Sequence, residues 1–223
     1  MKKVSIIFPA LAFLFMGCTN NQKPLGAKES NSVKDTASLT KKKTIVFFGN
    51  SLTAGYGLNP AEAFPAIIQN KIDSLGLPYK VVNAGVSGET SSGGDSRISW
   101  ILRQPVDVFV LELGANDGLR GIPPSATRKS LQSIIDKVKS KYPAAKQVLA
   151  GMQIPPNMGQ KYSTEFRNIY QELATANEMT LIPFVLEGVG GEAKLNQQDG
   201  IHPTAEGHRI VAENIWRELE KIL

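Results

Sequence analysis

Four consecutive large apolar residues, Ile45-Val46-Phe47-Phe48, run into Gly49 without any polar alternation. A strand with one wet face reads apolar and polar by turns, so an unbroken run of this length predicts a strand covered on both faces. Such strands belong to parallel sheets with helices above and below. The run therefore restricts the chain to an α/β architecture, provided that similar runs recur with helical patterns between them.

They do recur. Tyr79 to Val82, Val106 to Leu113, Gln147 to Met152 and Thr180 to Phe184 read as four further short strands. Between them lie helical patterns: Pro60 to Leu75, with Phe64, Ile67, Ile68, Ile72 and Leu75 in register, then a helix with Ile98, Trp100, Ile101 and Leu102 on its apolar face. Pro123-Pro124 opens a third helix through Tyr142, a fourth covers Thr164 to Asn177, and the last follows Pro203 to the C-terminus. The Gly93-Gly94 pair leaves the start of the second helix open. Strands alternating with helices predict a three-layer α/β/α sandwich built on a parallel sheet.

The 223 residues carry a net charge of +5, but that charge is unevenly placed. Residues 1–43 hold eight Lys against Glu29 and Asp35, whereas the remainder holds 17 basic and 18 acidic residues, a net of −1. The folded part has no basic surplus, which excludes a nucleic-acid function resting on charge. Met1-Lys2-Lys3 and the apolar Val4 to Phe15 read as a targeting segment too short to span a bilayer comfortably. Met16-Gly17-Cys18 follows, and this arrangement resembles a bacterial lipoprotein signal in which Cys18 is lipidated. The alternative is a plain secretory signal with an incidental Cys. A single Cys forms no internal disulfide and makes a zinc cluster implausible. Residues 19–43 are polar and Lys-rich, the composition of a flexible tether. The expected organisation is thus 1–18 signal, 19–43 tether and 44–223 folded domain, anchored to a membrane in the periplasm or outside the cell.

Chemistry is expected where the loops leave the C-terminal ends of the strands. Ser51 sits two residues past Gly49. Gly88 lies in Asn83-Ala84-Gly85-Val86-Ser87-Gly88-Glu89-Thr90, and Asn116 in Gly114-Ala115-Asn116-Asp117-Gly118. His202 follows Asp199 by three residues across Gly200, close enough for the carboxylate to orient the imidazole and leave Nε2 free as a base. A hydroxyl needs such a base to become a nucleophile, and an ester's tetrahedral intermediate needs donors that Gly88 N–H and the Asn116 amide can supply. His208, inside the last helix, reads as a surface or packing residue. Singly, each residue fits an ordinary turn; together they form a serine hydrolase's set.

In that set the chain resembles the SGNH (GDSL) hydrolase superfamily over about residues 44–220. Gly49-Asn50-Ser51-Leu52 is similar to the family's Gly-Asp-Ser-Leu block, and Leu113 to Gly121 resembles its Asn-bearing block. That Asn-bearing block, Ala54-Gly55-Tyr56 and Met152-Gln153-Ile154 look most like the periplasmic thioesterase I, lysophospholipase and arylesterase subgroup. The resemblance implies a flavodoxin-like fold with a five-stranded parallel sheet. It implies Ser51 as nucleophile, His202 as base and Asp199 as its orienting acid. The N–H groups of Ser51 and Gly88 and the Asn116 amide would form the oxyanion hole. It implies no metal or organic cofactor. The expected substrate is a small ester or thioester with an acyl chain; alternatives are an O-acetyl esterase acting on carbohydrate or cell wall, or a silent acyl-binding lipoprotein. Asn50 departs from the family's Asp and removes an anion expected to stabilise the imidazolium of His202. Pro155 to Gly159 is only loosely like the subgroup's loop, which leaves acyl length open.

Overall fold

In the computed structural model the described residues are 42–223. The expected signal over 1–18, with Cys18, and the expected 19–43 tether up to residue 41 lie outside the described residues. Lys42 and Lys43 already belong to the domain: Lys43 opens the first strand, two residues before the expected run at Ile45 and one before the expected domain start.

Five parallel strands form one sheet: β1 (Lys43–Gly49), β2 (Tyr79–Gly85), β3 (Val108–Glu112), β4 (Lys146–Ala150) and β5 (Thr180–Ile182). Their order is β2-β1-β3-β4-β5, the flavodoxin-like arrangement that the family resemblance implies. The chain steps from β1 outward to β2, then returns across β1 to β3, so the switch point lies between β1 and β3. There Gly49 is in register with Glu112 and Gly85.

Seven α-helices are present among the described residues. Two are short, α1 (Ser51–Ala54) and α4 (Ala115–Leu119), and sit directly on the ends of β1 and β3. Of the long ones, α2 (Phe64–Ser74) packs with α7 (Ala205–Leu219) on one face of the sheet. On the other face α3 (Ser91–Ile101), α5 (Pro124–Lys141) and α6 (Gln160–Asn177) pack in sequence. Ile45 to Phe48 are fully buried between the layers, and Phe47 meets Phe64 of α2 edge-on at 5.4 Å between centroids. Each such aromatic contributes about 1.5–3 kcal/mol by leaving water. Among the described residues no helix is long and apolar enough to cross a membrane.

Where the sequence and the structure differ, the reasons are local. The single helix expected over Pro60 to Leu75 is a 3₁₀ turn (Pro60–Glu62) followed by α2. Pro65 explains the break, because its ring would meet the carbonyl four residues earlier in a continuous helix. Asn59 and Glu62 cap the 3₁₀ turn reciprocally. Trp100, expected on the apolar face of its helix, is 65% exposed. Two positions apart on a helix, Ile98 and Trp100 cannot share a face, and the buried stripe runs through Ser91, Gly94, Ile98 and Ile101. Helix α6 begins at Gln160, four residues before the expected Thr164, after Gly159 turns the chain at φ 90°.

Candidate active site

Each strand end at the switch point delivers one part of the site. After β1, Asn50 caps α1: its Oδ1 accepts the Leu52 N–H at 2.9 Å. Ser51 is thereby the first helical residue, held above the sheet edge with its own N–H free of any intrahelical acceptor. Gly49 must lack a side chain here. A Cβ would stand 2.1 Å from Thr53 Oγ1 and 2.5 Å from Glu112 Oε2. Gly55, in the left-handed region at φ 75°, ends the short helix.

The segment before α7 brings the base. Asn196 and Pro203 pair across an isolated bridge, and Gly200 at φ 73° lets the intervening loop reverse. Asp199 Oδ1 accepts the N–H groups of Ile201 and His202, each at 3.0 Å. Its Oδ2 lies 2.6 Å from His202 Nδ1, and His202 Nε2 lies 2.9 Å from Ser51 Oγ. The N–H of His202, followed by its ring and the N–H of Ile201, holds the Asp199 carboxyl down to about 2. An anion fixed on Nδ1 assigns that proton and leaves Nε2 as the acceptor facing the hydroxyl. The ring also packs against Tyr56, 4.6 Å between centroids with the planes tilted by 39°. Gln197 donates to the Tyr56 carbonyl at 2.7 Å, which ties the two loops together.

The oxyanion side is assembled from the ends of β2 and β3. Gly88 lies at φ 79°, a conformation that L side chains rarely adopt. Among the described residues neither the Ser51 N–H nor the Gly88 N–H has a hydrogen-bond acceptor. The Asn116 amide donates to the Glu89 carbonyl at 3.0 Å, which spends one of its two protons and orients the other. Two arginines brace these loops. Arg97 pairs with the Glu89 carboxylate at 2.5 Å and donates to the Ala84 carbonyl at 2.7 Å, while Arg120 donates to the Gly88 carbonyl at 3.0 Å.

Ser51, Asn116 and His202 all line one cleft of about 370 Å³. Asp199 reaches it through His202; Gly88 does not line it, and its loop meets the cleft only through the Asn116 amide, which donates to the Glu89 carbonyl. Met152, Ile154, Phe184 and Leu186 give the cleft's lining an apolar part, alongside the exposed Leu119 and Ile201. Pro155 lines it too, so the loop expected near an acyl group does adjoin the cleft. His208 lies away from it as a packing residue: it is buried, and its Nδ1 accepts the Phe64 N–H at 3.1 Å.

Sequence reasoning missed Glu112. This carboxylate is buried at the end of β3 and accepts from the Asn50 backbone N–H at 3.2 Å, from Asn50 Nδ2 at 2.9 Å and from the Thr53 hydroxyl at 2.8 Å. Burial pushes its carboxyl up to about 7 against the pull of those donors. One signal was available, a lone acid inside the otherwise apolar run Val108 to Leu113.

Residues 47–210 match the model of the GDSL-like lipase/acylhydrolase family. The esterase TesA of Pseudomonas aeruginosa is 38% identical over 182 residues, covering 81% of this chain and 90% of that protein. The thioesterase 1/protease 1/lysophospholipase L1 of Escherichia coli is 36% identical over 181 residues, covering 81% and 85%. A crystal structure of TesA superimposes with a TM-score of 0.77 at 38% identity, covering 81% of this chain and all of that one.

Proposed function

Because the chain belongs to the GDSL-like lipase/acylhydrolase family, we propose that its hydrolysis of esters proceeds through an acyl group carried on Ser51. The protein is a serine ester hydrolase of the SGNH type. The observation that carries the mechanistic reading is the unbroken line from Asp199 through His202 to Ser51, with contacts of 2.6 and 2.9 Å.

In the first step Ser51 Oγ bonds to the acyl carbon while its proton passes to His202 Nε2. The carbonyl electrons move onto oxygen, facing the N–H groups of Ser51 and Gly88 and the Asn116 amide. Return of those electrons breaks the bond to the leaving alcohol or thiol, which takes the proton from His202. Water then attacks the acyl-enzyme with His202 again as base, releasing the acid and restoring the Ser51 hydroxyl. Each oxyanion donor lost costs about 2.7–4 kcal/mol of barrier.

The apolar residues lining the cleft, Met152, Ile154, Phe184 and Leu186, support an acyl chain as the bound group, in preference to an acetylated sugar. Lysophospholipids, acyl thioesters and simple alkyl or aryl esters are the proposed substrates. Each buried methylene contributes about 0.8 kcal/mol, so kcat/KM should climb roughly fourfold per added carbon until the cleft is filled, then level off. Measurement on a p-nitrophenyl ester series tests this, and a preference for acetyl over longer chains contradicts it. Ser51→Ala should lose at least about a thousandfold in kcat and all labelling by a fluorophosphonate probe. Residual activity within tenfold of wild type overturns the role of Ser51.

Lipidation at Cys18 is a second part of the proposal, supported by the leader's pattern of charged residues, apolar stretch and Gly17-Cys18. Several acyl chains on one Cys would anchor the protein stably. Incorporation of an alkyne-tagged fatty acid that disappears in Cys18→Ala tests it; unchanged incorporation rejects it.

A further inference from the structure

Asn50 and Glu112 stand behind the nucleophile as one buried unit. The Asn50 side chain faces two ways. Its Nδ2 donates to Glu112 Oε1 at 2.9 Å, whereas its Oδ1 caps α1 through Leu52 N–H and lies 3.4 Å from Ser51 Oγ. An unanchored Asn amide can turn over and exchange these ends. With Glu112 ionised it cannot, because the carboxylate accepts only and demands the Nδ2 end. The same carboxylate takes the Asn50 backbone N–H and the Thr53 hydroxyl, residues on either side of Ser51.

We propose that Glu112 is a positioning residue for Ser51: its carboxylate locks Asn50 so that Oδ1 caps the nucleophile turn and faces the Ser51 hydroxyl, and protonation of Glu112 loosens that turn. The idea rests on the acyl-Ser51 reading above. Protonation converts three charge-assisted bonds into neutral ones of roughly half the strength. Of the surrounding donors the Thr53 hydroxyl can reverse to accept the new proton, and the Asn50 amide can accept it only by turning its Oδ1 away from α1.

It also changes the meaning of Asn50. When Glu112 is ionised, the charge expected to be missing beside the nucleophile is supplied from one strand away. An Asp at position 50 would stand within hydrogen-bonding distance of that carboxylate, and two carboxylates so placed cannot both ionise near neutral pH. Asn50→Asp therefore adds a shared proton without adding a net charge. The ionisable and charged groups nearby are few. Arg97 reaches the Gly49 carbonyl at 3.4 Å and is paired with Glu89. Tyr170, whose phenol is raised first by burial, then by Asp117 and then by Glu112, donates to the Leu113 carbonyl. His202 faces the other side of Ser51.

The test compares wild type, Glu112→Gln and the exchanged pair Asn50→Asp/Glu112→Gln across pH. It reads kcat and KM on p-nitrophenyl butyrate and, separately, the rate of fluorophosphonate labelling of Ser51. Glu112→Gln should lower kcat and labelling roughly ten- to hundredfold with KM within about threefold. Its acid limb should contain one proton fewer than that of wild type. In the exchanged pair the amide introduced at position 112 can donate to the carboxylate introduced at position 50, whose other oxygen caps the Leu52 N–H. That pair should recover at least about fivefold of the loss. A kcat within threefold of wild type, an acid limb of unchanged shape, or no recovery in the exchanged pair overturns the proposal. If Glu112→Gln does not fold by circular dichroism, infrared titration of the wild type decides. A carboxyl band that grows in step with the loss of labelling supports the role, and a carboxylate ionised throughout overturns it. Labelling without turnover of any ester would sink the substrate assignment while leaving the role of Glu112 readable.

Discussion

His208 and Glu112 are buried ionisable groups whose effects on stability run in opposite directions. Burial, with a smaller contribution from His202, holds the His208 imidazole down from 6.5 to about 4. The folded protein thus binds fewer protons than the unfolded chain in that interval. The contribution of His208 is complete above pH 6.5 and is lost as pH falls towards 4. Burial raises Glu112 from 4.5 to about 7, so the folded state holds the extra proton and stability declines as pH rises between those values. The two slopes oppose one another from pH 4.5 to 6.5. In His208→Gln, which keeps an acceptor for the Phe64 N–H, the Glu112 slope stands alone. That variant should gain on the order of 3 kcal/mol between pH 7 and 4.5, read from urea midpoints. A midpoint that drops with acid in the variant contradicts this assignment. Gly88 makes a separate prediction. A Cβ there would meet nothing closer than Arg120 Nη2 at 3.9 Å, so space is available and only the φ of 79° forbids it. Gly88→Ala should cost about 1–2 kcal/mol in stability and lower kcat at unchanged KM, through displacement of its N–H.

At the level of elements, the site depends on how closely α1 lies against β2. A Cβ on Gly85 would fall 2.3 Å from the Ala54 nitrogen and 2.8 Å from the Asn50 carbonyl oxygen, both backbone atoms. Neither can move without moving the turn that carries Ser51. Gly85→Ala should therefore lower the melting temperature, costing about 1–3 kcal/mol, and depress kcat as well. Asn83 reinforces the same contact by donating to the Thr53 carbonyl at 2.8 Å. On α3 the contrast is sharp. Trp100 is the most exposed large apolar residue among those described, and Trp100→Ala should change stability by no more than about 0.5 kcal/mol. A loss of several kcal/mol there would mean that the ring is covered in solution.

For the molecule as a whole, catalysis belongs to the near-neutral folded part, and the proposed lipidation would give attachment to the Lys-rich segment before it. The chain from Lys42 onward should hydrolyse a soluble ester with kcat/KM within about twofold of the full chain, since every group of the site lies within it. The alternation of buried strands and helices was legible because burial on both faces leaves an uninterrupted apolar run, a local property of composition. That Ser51, Asn116 and the Asp199–His202 pair lie at one rim was legible too, since strand ends in such sheets converge there. Trp100 misled because its neighbours in sequence are not its neighbours on the helix. Glu112 was passed over because a carboxylate inside an apolar run has no meaning until its partners are known. Local pattern alone determined the layers, the strand ends and the chemistry they could carry. Only the tertiary structure set Gly49 against Glu112 across β1 and β3, because hydrogen bonds between residues about sixty positions apart depend on strand register, and no run of neighbouring residues encodes that.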